Sequence, residues 1–294
     1  MTRDPERAPV DRAANDSPIT EERLTEKGTR LSDHDLSEVG DRLRLRAAVV
    51  YEIIRQEGEE ELARSPKSLW WSGIAAGLSI GFSVLGEALL RAYLPDADWR
   101  HLVENFGYGL GFLIVILARQ QLFTENTLTA VLPAVSTGKS KTYMRVARLW
   151  AIVFLANMVG TFLFGSAIAT GMFLPPPVHE AVGALSVHMM EIPQHEMFVR
   201  GVLAGWIVAT LVWLLPSAEN SQVAIILLMA WLIAALDLTH VVAGSVEAVF
   251  AFWIGEVGVI DVLAGFLLPT LLGNIVGGSA LFALIAHAQV RKEI

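Results

Sequence analysis

Residues 113–132 read LIVILARQQLFTENTLTAVL, and residues 232–244 read LIAALDLTHVVAG. Each is apolar at both ends and polar in the middle, RQQLFTEN at 119–126 in the first and DLTH at 237–240 in the second. Both belong to apolar segments long enough to cross a bilayer, for which roughly twenty residues suffice as a helix. A polar loop cannot face lipid there, because its backbone N–H and C=O groups would have no water to bond. What satisfies the backbone is a helix broken inside the protein, beside a wet pathway. The fold class expected from these two segments is all-α integral membrane, with the second and fifth spans broken.

Outward from them the apolar stretches number six: about Leu69–Leu94, Leu102–Leu132, Val146–Leu174, Met197–Leu215, Val223–Phe252 and Val259–His287. Of 294 residues 53% are hydrophobic and 18% charged, a balance that excludes an ordinary soluble enzyme. The charges crowd the start, where residues 1–64 hold sixteen Asp/Glu and eleven Lys/Arg against fourteen and eleven in all the rest. Residues 1–40 are mixed-charge and free of aromatics, which predicts a disordered cytoplasmic tail; no secretory signal is apparent. Over 41–64, Leu43, Ala47, Val50, Ile54 and Leu62 recur at spacings near three and four, with Arg42, Arg46 and Arg55 between them. That is the pattern of an amphipathic cytoplasmic helix. Residues 65–290 form the expected membrane domain.

Arg64 and Lys67 precede the first span, Lys139, Lys141, Arg145 and Arg148 follow the second, Arg291 and Lys292 follow the sixth, and the 175–195 loop has no Lys or Arg. The positive-inside rule then places both termini in the cytoplasm and the 175–195 loop outside, as in a bacterial-type inner membrane. Trp70, Trp71, Trp99 and Trp253 fall near span ends, where indoles anchor a protein in the bilayer interface.

The two halves share landmarks. GIAAG at 73–77 matches GVLAG at 201–205, NMVG at 157–160 matches NIVG at 274–277, and the interruptions precede the asparagines by similar distances. A duplicated unit of three spans must enter the membrane from opposite sides, giving an inverted 3+3 repeat about an axis in the membrane plane. The two breaks then meet near mid-depth, where channels and transporters place their selectivity. Gly73, Gly77, Gly160, Gly201, Gly277 and Gly278 read as close helix contacts, and Gly205 is set apart as a position on the pathway.

Other function classes find no support. The absence of cysteine removes thiolate metal sites and Cys nucleophiles. A net charge of −8 argues against a nucleic-acid partner, which needs clustered Lys/Arg. His179, Glu180, His188, Glu191, His195 and Glu196 share the 175–195 region without a zinc-site spacing. No dinucleotide, phosphate-loop or serine-hydrolase motif occurs, so neither an enzyme nor a cofactor is expected.

With six spans, LFTEN at 122–126, LTH at 238–240 and GNIVGG at 273–278, residues 64–290 resemble the formate/nitrite transporter family. The resemblance implies a homopentamer of aquaporin-like protomers, each with its own pore for small monovalent anions or their conjugate acids. It carries the family's central histidine onto His240 and its apolar constriction onto Tyr108, Phe112, Phe123 and Ile233, with Thr124 in the motif at the first break. The sequence also departs from the family: Met189 stands where a lysine is usual, Gly205 for an asparagine, Thr239 for a glutamate, and Arg119-Gln120-Gln121 for the small and acidic lead into LFT.

An imidazole titrates at about 6.5 when unperturbed, so His240 is placed to hand a proton to a weak-acid anion or to hydrogen-bond it in passing. Thr239 completes the central polar contact, and the 119–126 segment is a candidate gate. Glu87 with Arg91 is an expected i, i+4 pair; Glu125 is expected to pair with Arg119, and Asp237 to orient His240. Arg119 and Arg200 are candidate replacements for the missing lysine. The function expected is passive or proton-linked passage of a formate- or nitrite-like anion. A neutral-solute or weak-acid facilitator, favoured by Met189 and Gly205, stays open, as does a membrane scaffold or sensor acting through residues 1–64.

Overall fold

The computed structural model describes residues 45–292 apart from 219, together with the pairs 23–24 and 30–31. Arg23–Leu24 and Arg30–Leu31 form a two-residue antiparallel ladder. The remainder of the expected disordered tail, with Arg42 and Leu43 of the amphipathic stretch, lies outside the described residues. Residues from Arg46 onward form one helical unit.

Among the described residues four helices are long and apolar enough to cross a membrane: Pro66–Tyr93, Ser140–Ala169, Gln194–Ser217 and Asp261–Val290. The first starts cleanly because Ser65 accepts the Ser68 N–H and Pro66 occupies the first helical turn. The last is wound loosely, with π-helical turns over Asp261–Leu267 and Val276–Ala283. Outward-facing Phe82, Leu89, Leu155, Phe162, Leu163 and Leu203 are exposed, the reverse of a soluble protein and the expected surface for lipid or a partner subunit.

The two interrupted segments are each a pair of helices with a non-helical joint. Gly109–Leu117 and Phe123–Thr129 flank the joint 118–122, and Gln222–Ala235 and Val241–Trp253 flank the joint 236–240. Each joint turns on one non-glycine residue in the left-handed region, Arg119 at φ 53° and Asp237 at φ 48°. The first joint is shorter than the polar run suggests. Residues 123–126 are already helical, the Glu125 and Asn126 N–H groups both donating to the Leu122 carbonyl.

Small residues set the packing between long spans. A side chain on Gly77 would meet the backbone of Asn157, Gly160 and Thr161, and one on Gly205 would meet the backbone of Asn274. Gly205, expected on the pathway, makes a close backbone approach to a neighbouring span like the other glycines.

The 175–195 region differs from expectation as well. It contains the helix Pro176–Met190, begun by prolines and burying Val178, Val182, Leu185 and Met189. It packs on Pro66–Tyr93 and Val241–Trp253. The amphipathic stretch is the helix Ala47–Ala63, whose buried face is Val50, Tyr51, Ile54, Gly58 and Leu62. It lies against Phe123–Thr137 and the end of the last span, where the Tyr51 hydroxyl is 2.8 Å from His287 Nδ1. Gly58 permits that approach, since a side chain there would strike the Thr129 carbonyl.

Candidate functional site

A helix beginning inside a membrane protein needs partners for its first N–H groups. Two asparagines on long spans supply them. Asn157 Oδ1 accepts the Phe123 N–H at 2.9 Å, and its Nδ2 donates to the Gly73 carbonyl at 2.8 Å and the Gln121 carbonyl at 2.9 Å. Asn274 repeats the arrangement: its Oδ1 accepts the Val241 N–H at 2.9 Å, and its Nδ2 donates to Gly201 at 2.8 Å and Thr239 at 3.0 Å. Both side chains are fully buried. Each amide thus ties a joint, the half-helix after it and a glycine-bearing span into one unit, which gives the paired Gly and Asn landmarks of the sequence a physical reason.

His240 caps the half-helix Val241–Trp253. Its Nδ1 accepts the Ala243 N–H at 3.1 Å, and its Nε2 lies 2.7 Å from Thr124 Oγ1 in the other half-helix. An accepting Nδ1 carries no proton, so the ring is neutral with its hydrogen on Nε2, donated to Thr124. Phe112 packs edge-on to the imidazole at 5.1 Å between ring centres, and Tyr108 packs on Phe112 at 5.5 Å. Thr124, His240, Phe112 and Tyr108 therefore form one buried cluster. Phe123 is also buried, but its rings of contact are Phe154 at 5.1 Å and Trp150 at 5.7 Å. Ile233 is in the core, and Thr239 donates to the Met197 carbonyl at 2.7 Å.

The charged residues pair differently from the spacing-based expectations. Arg91 bonds Glu104 at 2.8 Å rather than Glu87, with Arg100 adding a second contact to Glu104 at 3.4 Å. Arg119, exposed on its side chain, meets Glu57 at 3.4 Å rather than Glu125, because the surface helix reaches the joint. Asp237 faces His188 at 3.5 Å while its carbonyl accepts from Arg200 at 3.2 Å; the Ala243 N–H, not Asp237, orients His240. Arg200 is further held by Glu196 at 2.7 Å, one helical turn away.

Two cavities approach the joints. One, of about 60 Å³, ends at His240 and is lined by Glu87, Tyr108, Met189, Asp237, Thr239 and Glu247 among others, with no Lys or Arg. The other, of about 670 Å³, lies at the 119–121 joint beneath the surface helix and includes Glu57, Glu60, Glu61, Arg64, Arg119 and Glu125. Phe112, Phe123 and Ile233 line neither.

Glu61 escaped the sequence reading. From the surface helix it accepts hydrogen bonds from Thr129 Oγ1 at 2.7 Å, Asn126 Nδ2 at 3.0 Å and Gln121 Nε2 at 3.2 Å. Burial pushes its carboxyl above the usual range, against the lowering effect of the Thr129 and Gln121 hydrogen bonds. On the same helix Glu52 is held down at about 2, chiefly by the hydrogen bond from Arg55 and then by that from Gln56. Among the described residues no group of three His, Asp or Glu side chains is arranged to hold a metal ion.

Apolar membrane-crossing helices, two helix joints stitched by buried asparagines and cavities converging on them define a multi-pass membrane transport protein rather than an enzyme. The family model described as formate/nitrite transporter matches residues 48–288, and the chain belongs to that family. Inner membrane protein YfdC of Escherichia coli (strain K12) is 42% identical to it over 86% of this chain and 82% of that one. Formate channel FocA of Haemophilus influenzae is 28% identical over 74% of this chain and 84% of that one. Among solved structures, a pentameric formate channel with formate bound shares the fold at a TM-score of 0.67 and 20% identity, over 77% of this chain and 98% of that one.

Proposed function

We propose that this chain forms a pore for a small monovalent anion, formate- or nitrite-like, or its conjugate acid, with the Thr124–His240 contact as the central polar station. The observation that carries the reading is that hydrogen bond: it joins residues 116 apart in sequence, at the starts of the two half-helices, with one cavity ending at His240 and the other at the 119–121 joint. A dehydrated anion faces a large desolvation cost in an apolar constriction, which fixed donors or protonation remove. Tyr108, Phe112, Phe123 and Ile233 form the constriction that rejects hydrated ions; Thr239 lines the approach to His240.

In this reading the chain crosses an inner membrane six times as an inverted 3+3 repeat of aquaporin-like design. Its support is the matching Asn157 and Asn274 networks and the matching left-handed residues Arg119 and Asp237. Residues 1–64 and the C-terminus are cytoplasmic by the Lys/Arg distribution. Five copies assemble with one pore each, a reading supported by the shared fold of the pentameric formate channel. Formate channel FocA and the family description favour anions.

One observation favours a second reading, a facilitator of neutral solutes or undissociated weak acids: Met189 and three carboxylates line the cavity beside His240. Flux into proteoliposomes across pH 5–8, comparing formate, nitrite and a neutral solute of similar size, separates them. Saturable anion-dependent uptake supports the first reading, neutral-solute uptake alone supports the second, and silence for all three with the folded oligomer confirmed contradicts both.

A further inference from the structure

The cavity that ends at His240 has an unusual charge balance for a pathway open to anions. Its wall carries Glu87 and Glu247 from two different helices and Asp237 from the 236–240 joint, and no Lys or Arg. Asp237 sits at the mouth with His188, both partly exposed. Glu87 is deeper, only 9% exposed, and makes no hydrogen bond or ion pair among the described residues. Arg91, one turn from it, is committed to Glu104 instead. Glu247 likewise has no partner among the described residues. Carboxylates at this depth are costly without a counter-charge, and those that persist face the protein interior or a wet cavity. A cavity lined by one sign of charge concentrates the opposite ion.

We propose that the cavity bounded by Glu87, Asp237 and Glu247 is a binding site for a small monovalent cation, an alkali or ammonium-sized ion that keeps part of its water. The donors present are hard oxygens, the carboxylates with Tyr108 and Thr239 beside them, the chemistry that alkali and ammonium ions use. Among the described residues no three acidic or histidine side chains converge to ligate a metal ion, so the cation proposed is one held partly through its own water rather than by a closed carboxylate shell. Its charge offsets the carboxylates and lets a small anion come up to His240. That consequence rests on the anion-pore reading above, whereas the site itself does not.

The test uses the purified full-length protein at fixed ionic strength, with each cation compared at matched pH across pH 5–8. Thermal unfolding is followed in sodium, potassium, ammonium and N-methyl-D-glucamine chlorides, for wild type, Glu87→Gln and Glu247→Gln. Formate and nitrite flux is measured in proteoliposomes in the same cations. The expected result is a midpoint a few degrees higher in at least one small cation than in N-methyl-D-glucamine, with the difference reduced in either variant, and faster anion flux in the stabilising cation. A midpoint indifferent to cation identity overturns the proposal. So does one that rises only as pH falls and loses that rise in the variants, for the carboxylates then hold protons. Should a variant fail to fold, the wild-type cation series decides alone. Absence of flux in every cation counts against the pore reading and leaves the unfolding series as the test of the site.

Discussion

Thr124 Oγ1 lies 2.7 Å from His240 Nε2, so the first turns of the two half-helices are hydrogen-bonded to each other at the joints. Because His240 Nδ1 is occupied by the Ala243 N–H, the bond to Thr124 consumes the one ring hydrogen of a neutral imidazole. A doubly protonated ring would have to surrender the helix cap. The arrangement therefore favours a neutral, oriented imidazole, and protonation of Nδ1 would loosen the start of Val241–Trp253.

The asparagine networks are the first target. Asn157→Ala removes three buried hydrogen bonds and orphans the Phe123 N–H. Asn274→Ala does the same for the Val241 N–H. Each is expected to cost about 2–4 kcal/mol and to lower the thermal midpoint measured in detergent. Midpoints unchanged from wild type would contradict the role assigned to the pair.

Gly205 offers a test against the resemblance itself. The family's asparagine can be restored there as Gly205→Asn, and on family logic this would rebuild an anion contact. The backbone of Asn274 leaves no room for it. The expected outcome is a loss of about 1–3 kcal/mol from overpacking, with no gain in anion flux. A stable variant with faster flux would place Gly205 on the pathway.

Glu61 links pH to stability. Burial raises its carboxyl in the folded protein, so its contribution is fully present below the unfolded-state value of about 4.3 and is lost as pH rises through the raised folded value. Thermal midpoints taken at rising pH should fall more steeply for wild type than for Glu61→Gln, and parallel curves would contradict the assignment. Glu61→Ala leaves the Thr129, Asn126 and Gln121 donors without their acceptor and is expected to cost about 1–3 kcal/mol.

Arg91→Ala strips Glu104, whose side chain is 2% exposed, of its 2.8 Å partner and leaves only the longer contact to Arg100. Removing one partner from a buried ion pair is expected to cost about 3 kcal/mol. Circular dichroism melts of the variant beside Glu87→Gln check the pairing, since an Arg91–Glu87 pair would make the two equally damaging.

The joints were readable in sequence because polar residues inside an apolar span have few physical solutions, and because the Gly and Asn landmarks recur in register. The partners of charged side chains were not, since i, i+4 spacing reports neighbours on one helix while Arg91, Arg119 and Asp237 turn to groups on other elements. Pro176–Met190 was hidden by its prolines and by its length, too short for a span. Glu61 escaped for a related reason. Glu61 reads as one more charge on an amphipathic surface, and only the docking of that helix against Thr129 and Asn126 buries it.

The most direct measurement is formate and nitrite flux through proteoliposomes of wild type, His240→Asn and Thr124→Val, each confirmed as folded oligomer. Asparagine is a good helix cap, so His240→Asn keeps the Val241 half-helix supported while removing the imidazole. The account predicts saturable wild-type flux that falls about tenfold or more in both variants, in line with loss of a polar contact at the narrowest point. Flux that survives unchanged in folded His240→Asn would contradict it.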